Sequence, residues 1–570
     1  MSGWKKRVLR IDLSNQKIEN FAPEDSLLRG YVGGRGLGAK IIYENGEVDA
    51  LSPKNLLVFA AGPLTGTSAP ASGRFSLSTK SPLTGTMFDS NCGGSFGPSL
   101  KKAGYDAVIV KGKAPKPVFI EVKDEEVEVR NASSLWGKNA KGTYHVLKEK
   151  GSVLCIGRAG EKRVRVSSIM SDGVHAFGRG GVGAVMGSKN LKAITVKGSG
   201  KIEIFDRDEF IKQRDSINRL LIACPTINKG LAVFGTPFLV KITSWMKILP
   251  VDNFRGSDFD PAPLFAKKII ENYSPLKKAC YACPIACKRE DKKGKELPEF
   301  ETIALMGPNI KNSDYGAIVE ANILCNDYGL DTISVGNTLG AYSEIQNRLI
   351  PSSKLVDLVR LIGEKEGVGK SLGEGAKSFS ESEGFPEKSM QVKGLELPGY
   401  DPRGVKGLGF SYATSNRGGC HTRAYLVAPE ILRKPKAIDP YTFAGKAGHA
   451  KIFQDRFAAV DSLVVCKFAF FGAGEEEYAG ILSAVTGVEY SPDDLMLTGE
   501  RIWNIERLYN LREGFGRVDD TLPGRFFAEE LDDRGINKEE FLKTLEEYYH
   551  MRGWDEEGVP SKRKLKQLGI

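Results

Sequence analysis

Three cysteines stand within eight residues in Cys280-Tyr281-Ala282-Cys283-Pro284-Ile285-Ala286-Cys287. Three thiolates this close suit a cubane iron–sulfur cluster, in which each corner iron takes one cysteine. Zinc prefers two Cys-x-x-Cys pairs or a mixed Cys/His set, and no second pair exists in the chain. A fourth cluster ligand must come from elsewhere, and Cys466, Cys325 and Cys420 are the candidates. Cys92, Cys155 and Cys224 read as small buried hydrophobes.

Glycine-rich loops are the second chemical signal. Gly178-Arg179-Gly180-Gly181-Val182-Gly183 formally matches a dinucleotide fingerprint. The segment Asp172 to Phe177 stands before it where a strand should lead in directly, so a nicotinamide cofactor is not expected. Ala184 to Lys192 reads as a helix, which would place backbone donors and Arg179 at its positive end, a setting that suits a phosphate. Ser90 to Pro98, Gly33 to Gly38 and Gly73-Arg74-Phe75 are similar. Any one of them is an ordinary turn; together they suggest a large, phosphate-bearing ligand held by the N-terminal part.

The elements that must position these groups change character along the chain. Val8 to Leu13, Leu56 to Ala60, Phe75 to Ser78, Val153 to Ile156, Val164 to Val166 and Ala193 to Val196 read as strands, and Val118 to Val129 as a hairpin. Beyond about Phe205 the spacing turns helical. Leu355 to Ile362 is one helix. Ser491-Pro492-Asp493-Asp494 opens another with a serine cap, a first-turn proline and acids at the positive end. Lys538 to His550 is a third. The expected class is α+β: a β-rich domain over residues 1–203, a mainly helical domain over 204–392 and a second over 393–570. No internal repeat is visible.

A chain of 570 residues with 41% hydrophobic content can bury a large core without help from disulfides. The net charge of +10 is spread out, with no long basic run, so nucleic acid is not expected as a partner. An acidic protein or an anionic ligand is. No stretch is apolar enough for a membrane span, and the opening Met1-Ser2-Gly3-Trp4-Lys5-Lys6 does not read as a signal peptide. A cytoplasmic, reducing location is expected, where metal binding is the better reading of nine cysteines.

The order of motifs resembles the tungsten-containing aldehyde ferredoxin oxidoreductase family nearly end to end. It runs from Tyr31-Val32-Gly33-Gly34-Arg35-Gly36-Leu37-Gly38 and Ala61-Gly62-Pro63-Leu64-Thr65-Gly66 through Gly178 to Gly187 and the Cys280 triplet. It continues through Tyr412 to Gly418, Gly499-Glu500-Arg501-Ile502 and Arg512-Glu513-Gly514-Phe515 to Asp519-Asp520-Thr521-Leu522-Pro523. The resemblance implies a tungsten bis-molybdopterin (tungstopterin), a [4Fe-4S] cluster and a magnesium ion bridging the pterin phosphates. Electrons would pass to ferredoxin or a ferredoxin-like subunit, and the chain could act as a homodimer.

Position by position, the resemblance implies that Cys280, Cys283, Cys287 and Cys466 hold the cluster. Arg74, Asn91 and Gly93 would serve one pterin; His175, Ala176, Gly178 and Arg179 the other, with the carbonyls of Asn91 and Ala176 toward magnesium. Leu330 and Asp331 close an Asp-x-x-Gly-Leu-Asp motif in which Asn326 takes the first place, and Asp461 opens a second copy that lacks its Gly-Leu. Lys467 would link cluster and pterin. Glu301 resembles the active-site glutamate and His421 the histidine that hydrogen-bonds the substrate oxygen. The implied reaction oxidises an aldehyde to a carboxylic acid. The alternative is a related tungsten subunit of a complex that reduces carboxylic acids or aryl-CoA thioesters.

Overall fold

The computed structural model describes residues 1–570. Apolar residues alternating along short strands build two six-stranded sheets in the N-terminal part. The first holds β1 (Val8–Asp12), β2 (Lys17–Phe21), β3 (Leu57–Ala60), β4 (Phe75–Lys80), β5 (Met87–Cys92) and β6 (Ala107–Lys111). The second holds β7 (Val118–Lys123), β8 (Glu126–Asn131), β9 (Ser152–Cys155), β10 (Ile169–Ser171), β11 (His175–Phe177) and β12 (Leu191–Lys197).

The two sheets have one topology. Their strand orders are β2-β1-β6-β3-β4-β5 and β8-β7-β12-β9-β10-β11. Each starts with an antiparallel hairpin and has one parallel pair, β1 with β6 and β7 with β12. Each finishes in an antiparallel meander. The repeat absent from the sequence is therefore present in the backbone. The sheets share a core in which Leu9, Ile11, Phe59 and Phe75 meet Ile120, Leu154 and Phe177. Phe75 and Phe177 cross edge to face at 4.7 Å.

Two expectations need correction here. Val164 to Val166 is a turn, not a strand, because Val164 N closes the helix Arg158–Glu161 on Ala159 O at 2.9 Å. The helix expected over Ala184 to Lys192 runs instead over Val182–Ser188, and Leu191 already begins β12. Its glycines let it approach other backbone closely, and Asn190 (φ +56) turns the chain back.

After β12 the chain is mainly helical, and its apolar residues join one core that reaches from Trp4 to Trp554. The expected helices appear as Ser352–Glu364, Pro492–Arg512 and Lys538–Arg552. Ser491 caps the second through Asp494 N at 3.1 Å, with Asp494 answering to Ser491 N at 2.8 Å. No helix is long and apolar enough to cross a membrane. Helix Lys446–Leu463 packs on Pro492–Arg512 so closely that a Cβ at Gly499 would collide with the Asp455 carbonyl oxygen. Gly499→Ala should therefore cost roughly 3 kcal/mol through forced separation of the two helices. A thermal midpoint lower by several degrees checks this, and an unchanged midpoint would contradict it.

Candidate active site

The cysteine triplet sits on the loop of a two-stranded hairpin, β13 (Leu276–Lys278) and β14 (Lys288–Glu290). Ala282 and Ala286 turn that loop with φ of +50 and +49, costing roughly 1 kcal/mol each. Such strain persists where surroundings over-determine the backbone. Ala71, from the N-terminal part, does so here: its N–H donates to Ala282 O at 2.8 Å. Its own carbonyl accepts from Cys466 N at 3.0 Å. One residue thus joins the triplet to the distant fourth cysteine. Helix Lys446–Leu463 ends just before Cys466 on Val464, whose φ of +60 is rare for a β-branched residue.

The other two candidates for fourth ligand lie elsewhere. Cys325 is buried in helix Tyr315–Tyr328, and the Cys420 sulfur receives Arg417 Nη2 at 2.9 Å. Cys92, Cys155 and Cys224 are buried, as small hydrophobes should be. Burial pushes the Cys283 thiol up to about 11, with Cys466 and Cys280 adding to the shift. Burial, then Glu299, drives Cys287 well above its ordinary value. As bare thiols, Cys283 and Cys287 keep their protons and are poor nucleophiles, so they make sense as ligands that a metal deprotonates. Nowhere do three His, Cys, Asp or Glu side chains converge as a single-ion site requires. A cubane asks for less, since each corner iron needs one thiolate.

All four cysteines line one cavity, and every other site residue expected from the sequence lines it too. Each sheet contributes its last strand and the loop that follows. From the first come Asn91 on β5 and Gly93. Arg74 Nη2 donates to Asn91 O at 3.0 Å, while Asn91 Nδ2 is buried without a partner. A Cβ at Gly93 would fall 2.8 Å from Cys280 Sγ, so only glycine lets the loop pass the cysteine. From the second come His175 and Ala176 on β11, then Gly178 and Arg179. Burial, aided by Lys288 and Arg74, drops the His175 imidazole to about 2, which leaves it neutral. Arg179 donates to Gly419 O at 2.9 Å and Glu396 O at 2.6 Å, and its Nε lies 3.3 Å from Asp331.

The loop Gly33 to Gly38 takes no part in the cavity. Its glycines let helix Gly34–Asn45 pack against Asp461 O and the Ser78 side chain, so this loop is architectural. Arg35 runs into a buried ion cluster instead, meeting Glu506 at 2.7 Å and Asp89 and Asp461 at 3.4 Å.

The helical regions close the far wall. Asp331 caps helix Thr332–Ile345, accepting from Ile333 N and Ser334 N at 3.2 Å. Asn326 donates to Glu296 at 3.0 Å, and Leu330 is buried beside it. Lys467 pairs with Asp461. Glu301, in the first turn of helix Phe300–Met306, accepts Gly399 N at 2.8 Å on Oε2. Its Oε1 faces His421 Nε2 at 3.5 Å and has no hydrogen-bond partner, and neither has His421 Nδ1. Burial pushes Glu301 up to about 8, against smaller downward pulls from Gly399 N and Arg179. Burial holds His421 neutral, well below its ordinary value. Tyr400 and Tyr425 flank that imidazole with ring centres at 5.8 and 5.9 Å.

Two lining arginines escaped the sequence reading. Arg417 Nε and Arg423 Nε are buried and unpartnered. The signal was available: Arg417-Gly418-Gly419 repeats the Arg-Gly chemistry of the loop at Arg179.

A family model described as the aldehyde ferredoxin oxidoreductase N-terminal domain matches residues 8–198, and one described as domains 2 and 3 matches 212–570. The chain belongs to the aldehyde ferredoxin oxidoreductase family. It is 42% identical to a tungsten-containing aldehyde ferredoxin oxidoreductase of Pyrococcus furiosus, covering 99% of this chain and 98% of that one. It is 30% identical to the WOR-like subunit of an aliphatic sulfonate oxidoreductase from the same organism, over 100% and 97% of the two chains. Among solved structures it resembles a chain of the active-site complex of a benzoyl-coenzyme A reductase bound to 1,5-dienoyl-CoA. That likeness has a TM-score of 0.86 at 26% identity and covers 100% of this chain and 97% of that one.

In this family member the raised Glu301 has a consequence for stability. Unfolded, the carboxyl ionises near 4.5; folded, it keeps its proton to about 8. Across that window the folded state holds the extra proton, so stability falls as pH rises. Glu301→Gln removes the penalty. Between about pH 6 and pH 9 its thermal midpoint should fall less than that of the wild type, by a few degrees. Equal falls would contradict the buried, neutral carboxyl.

Proposed function

We propose that this family member is a tungstopterin enzyme that oxidises an aldehyde to a carboxylic acid and delivers the electrons to ferredoxin. The balance is one aldehyde and one water to one acid, two protons and two electrons. The observation that carries the reading is the doubled frame. Two sheets of one topology bring their last strands, β5 and β11, to the same cavity beside four cysteines. A ligand of two like halves next to a cluster is what such a frame suits.

The residues fit that group. Arg74 and Asn91 would hold one half, and Arg179 with the backbone around Gly178 the other. The unpartnered nitrogens of Asn91, Arg417 and Arg423 are donors waiting for anionic or carbonyl oxygens. Magnesium between phosphates would draw on the carbonyls of Asn91 and Ala176, one from the last strand of each sheet. Cys280, Cys283, Cys287 and Cys466 would bind the [4Fe-4S] cluster. When bound, the tungsten group supplies two-electron redox chemistry and the cluster a one-electron exit.

The chain's own part is binding and proton handling. His421, neutral, donates or accepts at the substrate oxygen. Glu301 Oε1, unpartnered and facing His421, takes a proton from water or from the hydrated carbonyl. A carboxyl at about 8 suits that work, because a base acts best near the ambient pH. Phe300, Tyr400, Tyr425 and Phe468 present an aromatic wall, which favours apolar aldehydes over charged ones.

Anaerobic purification followed by elemental analysis and a viologen-linked aldehyde screen tests this. Tungsten, with about four iron atoms per chain, and aldehyde-dependent viologen reduction are expected; zinc without tungsten or iron would end the reading. The same screen, run with reduced viologen and carboxylic acids or aryl-CoA thioesters, separates the reductive alternative. Turnover should rise with pH around Glu301's value. Glu301→Gln should keep its metals, lose that rise and turn over about a hundredfold more slowly or worse. Unchanged turnover would remove Glu301 from the mechanism.

A further inference from the structure

The hairpin that holds the cysteine triplet differs from the rest of the cavity wall in its outer surface. All three residues of β13 are exposed to solvent. Leu276 is 49% exposed and Tyr281 37%, although both are large and apolar. Tyr281 is nevertheless held in place. Its hydroxyl donates to Gly66 O at 3.1 Å, and the Lys102 ammonium lies 5.9 Å from its ring centre. Its neighbour Cys280 is only partly buried.

Lysines gather around this patch. Lys102 O accepts from Gly200 N at 3.0 Å, which brings the Lys201 segment alongside. Lys5 Nζ donates to Lys201 O at 2.6 Å. Nearby charges are already matched: Lys278 pairs with Glu290 at 2.7 Å and Lys101 with Asp106. Lys5, Lys102 and Lys201 have no carboxylate partner, and exposed Glu203 offsets only part of their charge.

We propose that Tyr281, flanked by Lys5, Lys102 and Lys201, forms the docking surface for an acidic protein that carries a one-electron centre. The inference rests on the function proposed above, because it takes the cysteine set as the electron exit. An exposed aromatic ring with a like-charged rim is the form of a weak, transient interface, in which charge sets the encounter and short contact suffices. Tyr281, directly after Cys280, stands between the cluster ligands and the partner. The net charge of +10 adds attraction at long range.

The test uses anaerobically purified holoenzyme and an acidic low-potential ferredoxin. Binding is measured directly by calorimetry, and benzyl viologen serves as a small acceptor in parallel. Lys102→Glu with Lys201→Glu should raise the ferredoxin Kd at least tenfold and flatten its dependence on salt. Viologen kinetics, iron content and thermal midpoint should stay as in the wild type. The control pair is Lys292→Glu with Lys293→Glu, at the exposed turn beyond the opposite end of the hairpin. It should shift Kd by less than twofold. A Kd within twofold of wild type in the first pair, or an equal loss in the control pair, would overturn the docking face. Missing viologen turnover in the wild type would instead strike at the proposed reaction, while the Kd comparison still decides the surface.

Discussion

A buried set of charges holds this molecule together around its cavity. Asp461, 1% exposed, meets Arg423 at 3.2 Å, Arg35 at 3.4 Å and Lys467. Burial alone would lift its carboxyl; Lys467, Arg423 and Arg35 hold it well below the usual carboxylate range. Arg35 also reaches Glu506 and Asp89, and Arg423 reaches Asp89 at 2.7 Å. The partners come from the first long helix, from β5, from the loop after His421 and from helix Pro492–Arg512. Buried charges are tolerable only when all are matched, and removing one partner typically costs about 3–5 kcal/mol because the others are stranded. The ends of the chain are therefore locked to each other through the floor of the site.

That lock explains two placements. Asp461 lies in the last turn of helix Lys446–Leu463, so fixing it fixes where the chain leaves the helix, at Val464, and hence where Cys466 and Lys467 stand. Asp89 lies on β5, so the same lock sets the strand that leads to Asn91 and Gly93. At Glu301 and His421, on the same wall, the electrostatics are opposite in kind. Glu301 and His421 are both buried and both held in their neutral forms, Glu301 by its lack of solvation and His421 by that and by Arg179 and Arg417. Beside the paired ions the cavity thus presents a carboxyl pushed up to about 8, and within the ion set burial pulls Lys467 down to about 8 as well.

The cysteine triplet was legible because its chemistry is local: three thiols on one short loop need no knowledge of the fold. The partner cysteine, Cys466, was singled out from Cys325 and Cys420 only by the family resemblance, since the link from Ala282 through Ala71 to Cys466 is made of backbone hydrogen bonds that no side-chain pattern reports. Glu301 and His421, 120 positions apart, could be paired only through the family resemblance. The glycines at Gly33 to Gly38 looked like a ligand cradle, because close packing of helix on backbone and close approach of a ligand demand the same residue. The sheet repeat left no trace in sequence. What the two halves share is which strand pairs with which, and many apolar sequences satisfy that. Each half then keeps its own side chains, Asn91 in one last strand and Ala176 in the other.

That inequality on a common frame has a physical outcome. A symmetric scaffold would offer both halves of a ligand the same potential. Here the first sheet brings Arg74, whose charge is felt at Cys466 and Cys280. The second brings a histidine kept neutral, and an arginine already committed to Glu396 O, Gly419 O and Asp331. The site is thus geometrically twofold and electrically polar. An anionic ligand of two like halves would therefore meet two different potentials, the more positive one beside the cysteines.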